Sequence, residues 1–344
     1  MNGYFHRVNE QTPTRFWINN VTQKEAHMAI EAGACGCTQN PSYVWKMLSH
    51  AEGGAHAKEL LQRFMAEYTD DNMVEVALQR ELVGEIAKIF LPIWEKTAGR
   101  WGYVSIQGDP FHEDCDTIVR MARFNREAGA NIMAKIPVTE EGLKAIGILA
   151  AEGVPINATE VMSVRQAMDV LDVYTRATEG MERKPVIYFS HIAGIFDEYI
   201  KAYAERIGAN VPYDYLWQAG VTVARKIDQM MRETGNAIGF ISGGARGLQH
   251  FTEMVGCRCV VTINWIGTAD KLIEQNAPVV QRFLAPTPHS VIDTLCDQLP
   301  DFRKAYEYNA IQPEEYEEFG PVVLFRKSFE EAWRNTLNMI QEMR

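Results

Sequence analysis

Residues 131–142 read NIMAKIPVTEEG, and within them one charge, Lys135, interrupts an apolar run of Ile132, Met133, Ala134, Ile136, Pro137 and Val138. Removing an ammonium from water is costly. Burial in an apolar setting, or a neighbouring cation, lowers its pKa. The neutral amine can then attack a carbonyl and form a Schiff base. A protonated imine withdraws electrons, so the adjacent carbon–carbon bond can break or form. Taken alone, a snorkelling or salt-bridged lysine is the commoner explanation of such a residue.

The surrounding elements decide what can meet that lysine. Short apolar runs at 15–19, 34–38, 103–107, 131–136, 155–159, 185–190, 237–242 and 259–264 each lead into a helical pattern, the longest over 72–96. Gly33, Gly129 and Gly153 follow helices, where a left-handed cap favours glycine. Eight strand–helix units predict an α/β fold, a (β/α)8 TIM barrel over about 15–285. A doubly wound sheet competes, weakened by the lack of G-x-G-x-x-G after the first strand. Residues 286–344, rich in prolines and acids and then helical, predict a C-terminal extension packed on the barrel, within one domain.

Barrel active sites form at the C-terminal ends of the strands. There the sequence puts Asn19 and Asn20; Thr38, Asn40 and Ser42; Gln107 and Asp109; Lys135; Asn157 and Thr159; Ser190 and His191; Ser242 and Arg246; and Asn264. Most are neutral hydrogen-bonding groups around one amine. Arg246 stands in SGGARG, where Gly243 and Gly244 let backbone N–H groups converge on an anion at a helix start.

The 344 residues are 47% hydrophobic with a net charge of −11, which argues against general nucleic-acid binding but leaves room for a small anion. The C-x-C pairs Cys35/Cys37 and Cys257/Cys259 lack zinc-site spacing and nearby histidines, so buried thiols are expected and no metal. No leader-like segment or membrane-length apolar run is apparent, and free cysteines suit a reducing cytoplasm.

CTQNPS (37–42), MAKIPVTEEGLKAI (133–146) and EGVPINATEVMSVRQA (152–167) resemble the transaldolase family, with order and spacing kept over 15–275. The K-I-P-x-T-x-x-G match is the most specific. The resemblance implies a (β/α)8 Schiff-base enzyme without a cofactor, acting in carbohydrate metabolism of the pentose phosphate kind on a sugar or sugar phosphate. It implies that Lys135 is the Schiff-base lysine. It further implies that Asn40 and Asn157 hold hydroxyls of a dihydroxyacetone unit, with Ser42 in the same turn. Thr159 would hold the catalytic water, Ser190 would touch substrate and Arg246 would bind phosphate. A homo-oligomer is expected, and no membrane partner.

Three departures stand out. Asn19 occupies the place of a proton-transferring aspartate, and Gln107 that of a glutamate acting through the catalytic water, as in the aldolase branch of the family. Ile195 replaces a second phosphate-binding arginine in SHIAGIFDE. Neither amide can act as a general acid or base. His191 is therefore expected to carry the proton, facing Lys135 across the pocket, with Asp109, Glu160 and Tyr188 as weaker candidates. Transfer of the three-carbon unit is the leading expectation, its release by an aldolase the first alternative, and a sugar-binding or regulatory homologue without turnover the second.

Overall fold

The computed structural model describes residues 3–51, 53–235 and 238–344. Eight parallel strands close into a barrel in sequence order: β1 (Arg15–Asn19), β2 (Cys37–Thr38), β3 (Val104–Gln107), β4 (Ile132–Pro137), β5 (Ile156–Val161), β6 (Ile187–His191), β7 (Gly239–Ser242) and β8 (Val260–Ile263), with β8 pairing back onto β1. The doubly wound alternative is excluded by that closure. Each expected strand is present, although Ala237, the first residue of the expected seventh, lies outside the described residues. The second strand is only two residues long.

The barrel interior changes character along its axis. At the N-terminal end Trp17, Met133, Tyr188, Ile241 and Val260 pack into an apolar floor, with the rings of Trp17 and Tyr188 centred 5.4 Å apart. Two glycines make room for these rings. A Cβ on Gly36 would lie 2.3 Å from the Trp17 indole, and one on Gly239 2.2 Å from the Tyr188 ring. Above the floor the inward side chains become polar. Asn157 Nδ2 donates to Ser105 Oγ at 3.2 Å, and Ser190 Oγ donates to Asn157 Oδ1 at 2.7 Å. On either side of β1, the hydroxyls of Thr38 in β2 and Thr262 in β8 meet at 2.8 Å.

The segment after β4 explains why its sequence is so restricted. Pro137 ends the strand, and Thr139 caps the helix Glu140–Ala151 by accepting the Gly142 N–H at 3.0 Å. This holds the first helical turn against the strand end. A Cβ on Gly142 would lie 1.8 Å from the Pro137 carbonyl oxygen.

Three further helices follow the barrel, His289–Gln298, Pro300–Tyr306 and Gly320–Met343. The last packs on the helices Tyr43–Leu48, Asp71–Lys96 and Ala193–Ile207 and reaches β5. One hydrogen-bond chain pins it to the β3 end: Trp333 Nε1 donates to Asn72 Oδ1 at 2.8 Å, and Asn72 Nδ2 donates to Asp109 Oδ2 at 2.7 Å. Among the described residues, no helix is long and apolar enough to cross a membrane.

Gly142→Ala is expected to lower stability by about 1–3 kcal/mol, the cost of overpacking a close-packed site. Thr139→Ala should cost about 1 kcal/mol through its lost cap. Urea denaturation of the two variants checks both values and their order.

Candidate active site

The polar end of the barrel opens into a cavity of about 220 Å³. Nine strand-end side chains from the expected set line it: Asn19, Asn20, Thr38, Asn40, Ser42, Lys135, Asn157, Thr159 and Ser190, with Arg246 and Asn264 at the margin. Thr262, Ile192 and Gly243 to Ala245 complete the barrel's share. The remainder comes from the C-terminal helix, whose Phe325, Ser328 and Phe329 close the mouth. Nothing in a strand–helix pattern marks these three residues. They fall on an amphipathic helix whose apolar face reads as ordinary packing.

Lys135 stands at the centre. It is 7% exposed and has no hydrogen bond or ion pair to any described residue. Its Nζ lies 5.6 Å from the Phe329 ring centre. Burial pushes its pKa down to about 8, partly opposed by the charge of Glu160. The salt-bridged explanation of this lysine is therefore excluded.

The neighbouring amides are held in fixed orientations. Asn40 Oδ1 accepts from Asn20 Nδ2 at 2.9 Å, Ser42 N at 3.1 Å and Ser42 Oγ at 2.6 Å. Its Nδ2 thus remains for a ligand, and Ser42 serves to orient it. Asn20 takes a left-handed backbone (φ 45°), and Lys46 Nζ donates to its carbonyl. Asn19 Nδ2 donates to Asn264 Oδ1 at 2.9 Å, while its Oδ1 accepts from Thr38 Oγ1 at 2.8 Å. Both ends of Asn19 are occupied, so it braces β1 against its neighbours. Thr159 Oγ1 is buried at the cavity wall without a protein partner.

His191 requires correction. It does not line the cavity or face Lys135. Side chains alternate along a strand, so with Ser190 inside, the next residue points into the helical layer. The ring is fully buried, with Nδ1 and Nε2 each 2.9 Å from a backbone carbonyl, those of Val161 and Gly220. Burial lowers its pKa, opposed by those two carbonyls. The weaker candidates Asp109 and Tyr188 are also engaged elsewhere. Asp109 accepts from Asn72 Nδ2 and the Phe111 N–H and contacts His112, and Tyr188 belongs to the apolar floor.

The anion position also departs from expectation. Arg246 is at the mouth, but its Nε bonds Glu198, and its side chain is 48% exposed. The helix after it, Gln249–Thr252, is a single turn starting three residues later, so its dipole adds little. The loop itself is firmly placed. Gly244 has φ +69°, and a Cβ there would lie 2.4 Å from Ile192. The Arg246 N–H donates to His250 Nδ1 at 3.1 Å, and His250 Nε2 meets Asp197 Oδ2 at 3.0 Å. Ile195, in the place of a second arginine, is 3% exposed and packs in the core. Of the cysteine pairs, Cys37, Cys257 and Cys259 are buried and Cys35 partly so, all as free thiols.

Sequence comparison agrees with this architecture. A family model described as transaldolase/fructose-6-phosphate aldolase matches residues 16–312. Transaldolase of Thiobacillus denitrificans is 27% identical over 246 residues, 67% of this chain and 68% of that protein. Transaldolase of Mycobacterium bovis is 30% identical over 207 residues, 58% of this chain and 55% of its own length. Transaldolase of Saccharopolyspora erythraea is 32% identical over 173 residues, covering 47% and 46%. With a family model spanning most of the barrel and an amine at its polar mouth, the chain belongs to the transaldolase/fructose-6-phosphate aldolase family of enzymes.

Proposed function

We propose that this chain transfers a three-carbon ketol unit of dihydroxyacetone type from a ketose to an aldehyde, through a Schiff base on Lys135. The observation that carries the reading is a buried, unpaired amine at the centre of a cavity lined with neutral hydrogen-bonding groups. With its pKa near 8, an appreciable fraction is already neutral at physiological pH and able to attack a carbonyl. Asn40 Nδ2, Asn157 and Ser190 hold the hydroxyls of the donor. The unpartnered Thr159 Oγ1 holds the water that leaves and returns as the imine forms and hydrolyses. Once the carbon–carbon bond breaks, the enamine on Lys135 waits for an acceptor.

Release of the unit by an aldolase is the second reading. It requires water to protonate the enamine. The Phe325 and Phe329 rings over the cavity limit access of bulk water and favour transfer. A binding homologue without turnover gains nothing from a desolvated amine. The anionic end of a substrate phosphate would take Arg246 from Glu198.

Lys135→Met should abolish trapping of dihydroxyacetone by borohydride, and labelling of the wild type should rise with pH through about 8, both read by mass spectrometry. The same variant should be more stable at pH 7. The folded-state pKa lies below the ordinary 10.5, so between about 8 and 10.5 the unfolded lysine binds a proton that the folded one does not. Wild-type stability therefore rises across that window, whereas below it the charged lysine costs on the order of 3 kcal/mol, at 1.36 kcal/mol per pKa unit. Denaturation of both proteins from pH 7 to 10.5 should show the gain of the methionine variant shrinking.

Arg246→Ala should raise KM for a phosphorylated ketose by about 10- to 100-fold, the worth of one charged hydrogen bond, with little change for the unphosphorylated sugar. Equal effects on both would make the arginine structural. His191→Asn should leave the pH dependence of turnover unchanged while lowering the melting temperature, because its ring bonds only backbone carbonyls.

A further inference from the structure

We propose that Glu160 and Glu113, clamped on either side of the Gln107 amide, form the proton store that Lys135 draws on while its imine is made. The proposal rests on Lys135 forming that imine. It begins with an irregularity in β5, whose register on β6 shifts between Ala158 and Val161. Glu160 lies inside this irregularity with φ +63°, a conformation that L-residues other than glycine rarely adopt. Strain of this kind collects at functional sites. Here it turns a fully buried carboxylate toward β3.

Gln107 receives it. Gln107 is the register partner of Lys135 across β3 and β4. Its Nε2 donates to Glu160 Oε1 at 3.0 Å and to Glu113 Oε1 at 3.3 Å. The amide oxygen of Gln107 and the second oxygen of each carboxyl, Glu160 Oε2 and Glu113 Oε2, are buried without a partner. Beside them a cavity of about 20 Å³ is lined by Gln107, Glu113 and Lys135, enough for about one water molecule. A water there would lie between the amine and Glu113, which shares the Gln107 amide with Glu160.

The chemistry needs such a store. A lysine ammonium must lose a proton before its nitrogen can bond the substrate carbonyl carbon. The carbonyl π pair then moves to oxygen, which takes a proton to become a hydroxyl. The nitrogen gives up its second proton, and the hydroxyl leaves as water with a proton returned to it as the C=N bond forms. Over the sequence R–NH3⁺ and a ketone give the protonated imine and water, so the store lends protons and ends as it began. Two buried carboxyls side by side suit this task, because like charges disfavour double ionisation and one proton is retained. Burial raises both, and the charge of Glu160 raises Glu113 further. The charged groups facing the pair are Lys135 from β4 and Arg326, Glu317 and Glu330 from the C-terminal segment. Neither carboxyl lines the substrate cavity; both act through Lys135.

The test is the rate at which dihydroxyacetone is trapped on Lys135 by borohydride, from pH 6 to 10, in wild type, Glu160→Gln, Glu113→Gln and the double variant. Each glutamine keeps an oxygen to accept from Gln107. An electrostatic role and a proton store predict opposite signs. Without the attraction of Glu160 the lysine pKa falls further, so more neutral amine is present at pH 7 and labelling should quicken. A lost proton store should slow it, by about 100-fold in the double variant. Glu160→Gly relaxes the left-handed backbone and secures a folded protein, and added formate should restore part of its rate. Unchanged or faster labelling of the double variant, or no rescue by formate, would overturn the proposal. No labelling of wild type would instead overturn the Schiff-base reading itself.

Discussion

Desolvation of Lys135 is the constraint around which the mouth of the barrel is organised. An ammonium taken out of water with no counter-ion touching it costs free energy whenever it is charged. The cost is sustained by the rest of the fold: parallel strands that supply a rigid wall, the Phe325 and Phe329 rings above, and a belt of amides and hydroxyls, most of them bonded to one another, that offers the amine no fixed ion pair. Had Asn19 been charged, or Glu160 reached the ammonium directly, the lysine would hold its proton more firmly and be a poorer nucleophile.

The helical layer contributes by holding loops still. His191, Asp197 and His250 meet behind β6 and β7. The Gly220 carbonyl faces His191 while the Gly220 N–H donates to Asp197, and His250 joins Asp197 to the backbone of Arg246. The chain of contacts runs from Val161, next to the β5 irregularity, to the arginine at the mouth. These contacts hold the loop of Arg246 and the strand carrying Thr159 and Glu160 in place.

Much of this was legible in the residues. Alternating apolar runs and helical patterns gave all eight strands, because a parallel barrel buries its strands on both faces and leaves a clear signature. The inward polar set was legible for the same reason: each strand ends in residues too polar for its apolar stem. His191 misled because a strand's last residues alternate inside and outside, and titration chemistry says nothing about which face a side chain takes. Glu160 was undervalued because a register shift has no compositional mark; it looked like one more acid at a strand end. The aromatic cover was hidden since a helix distant in sequence shows only that it packs, not what lies beneath it.

The filled interior of the barrel has a kinetic consequence. Trp17 and Tyr188, seated over Gly36 and Gly239, pack the N-terminal end of the barrel axis with apolar rings. A substrate using the cavity that Lys135 lines would pass a door beneath the helix that Trp333 ties to Asn72. For a transfer reaction, the aldehyde cut from the donor must vacate that door before an acceptor can use it. Order of exchange would then follow from architecture: two half-reactions in strict alternation, with the second aldehyde competing against the first for one threshold.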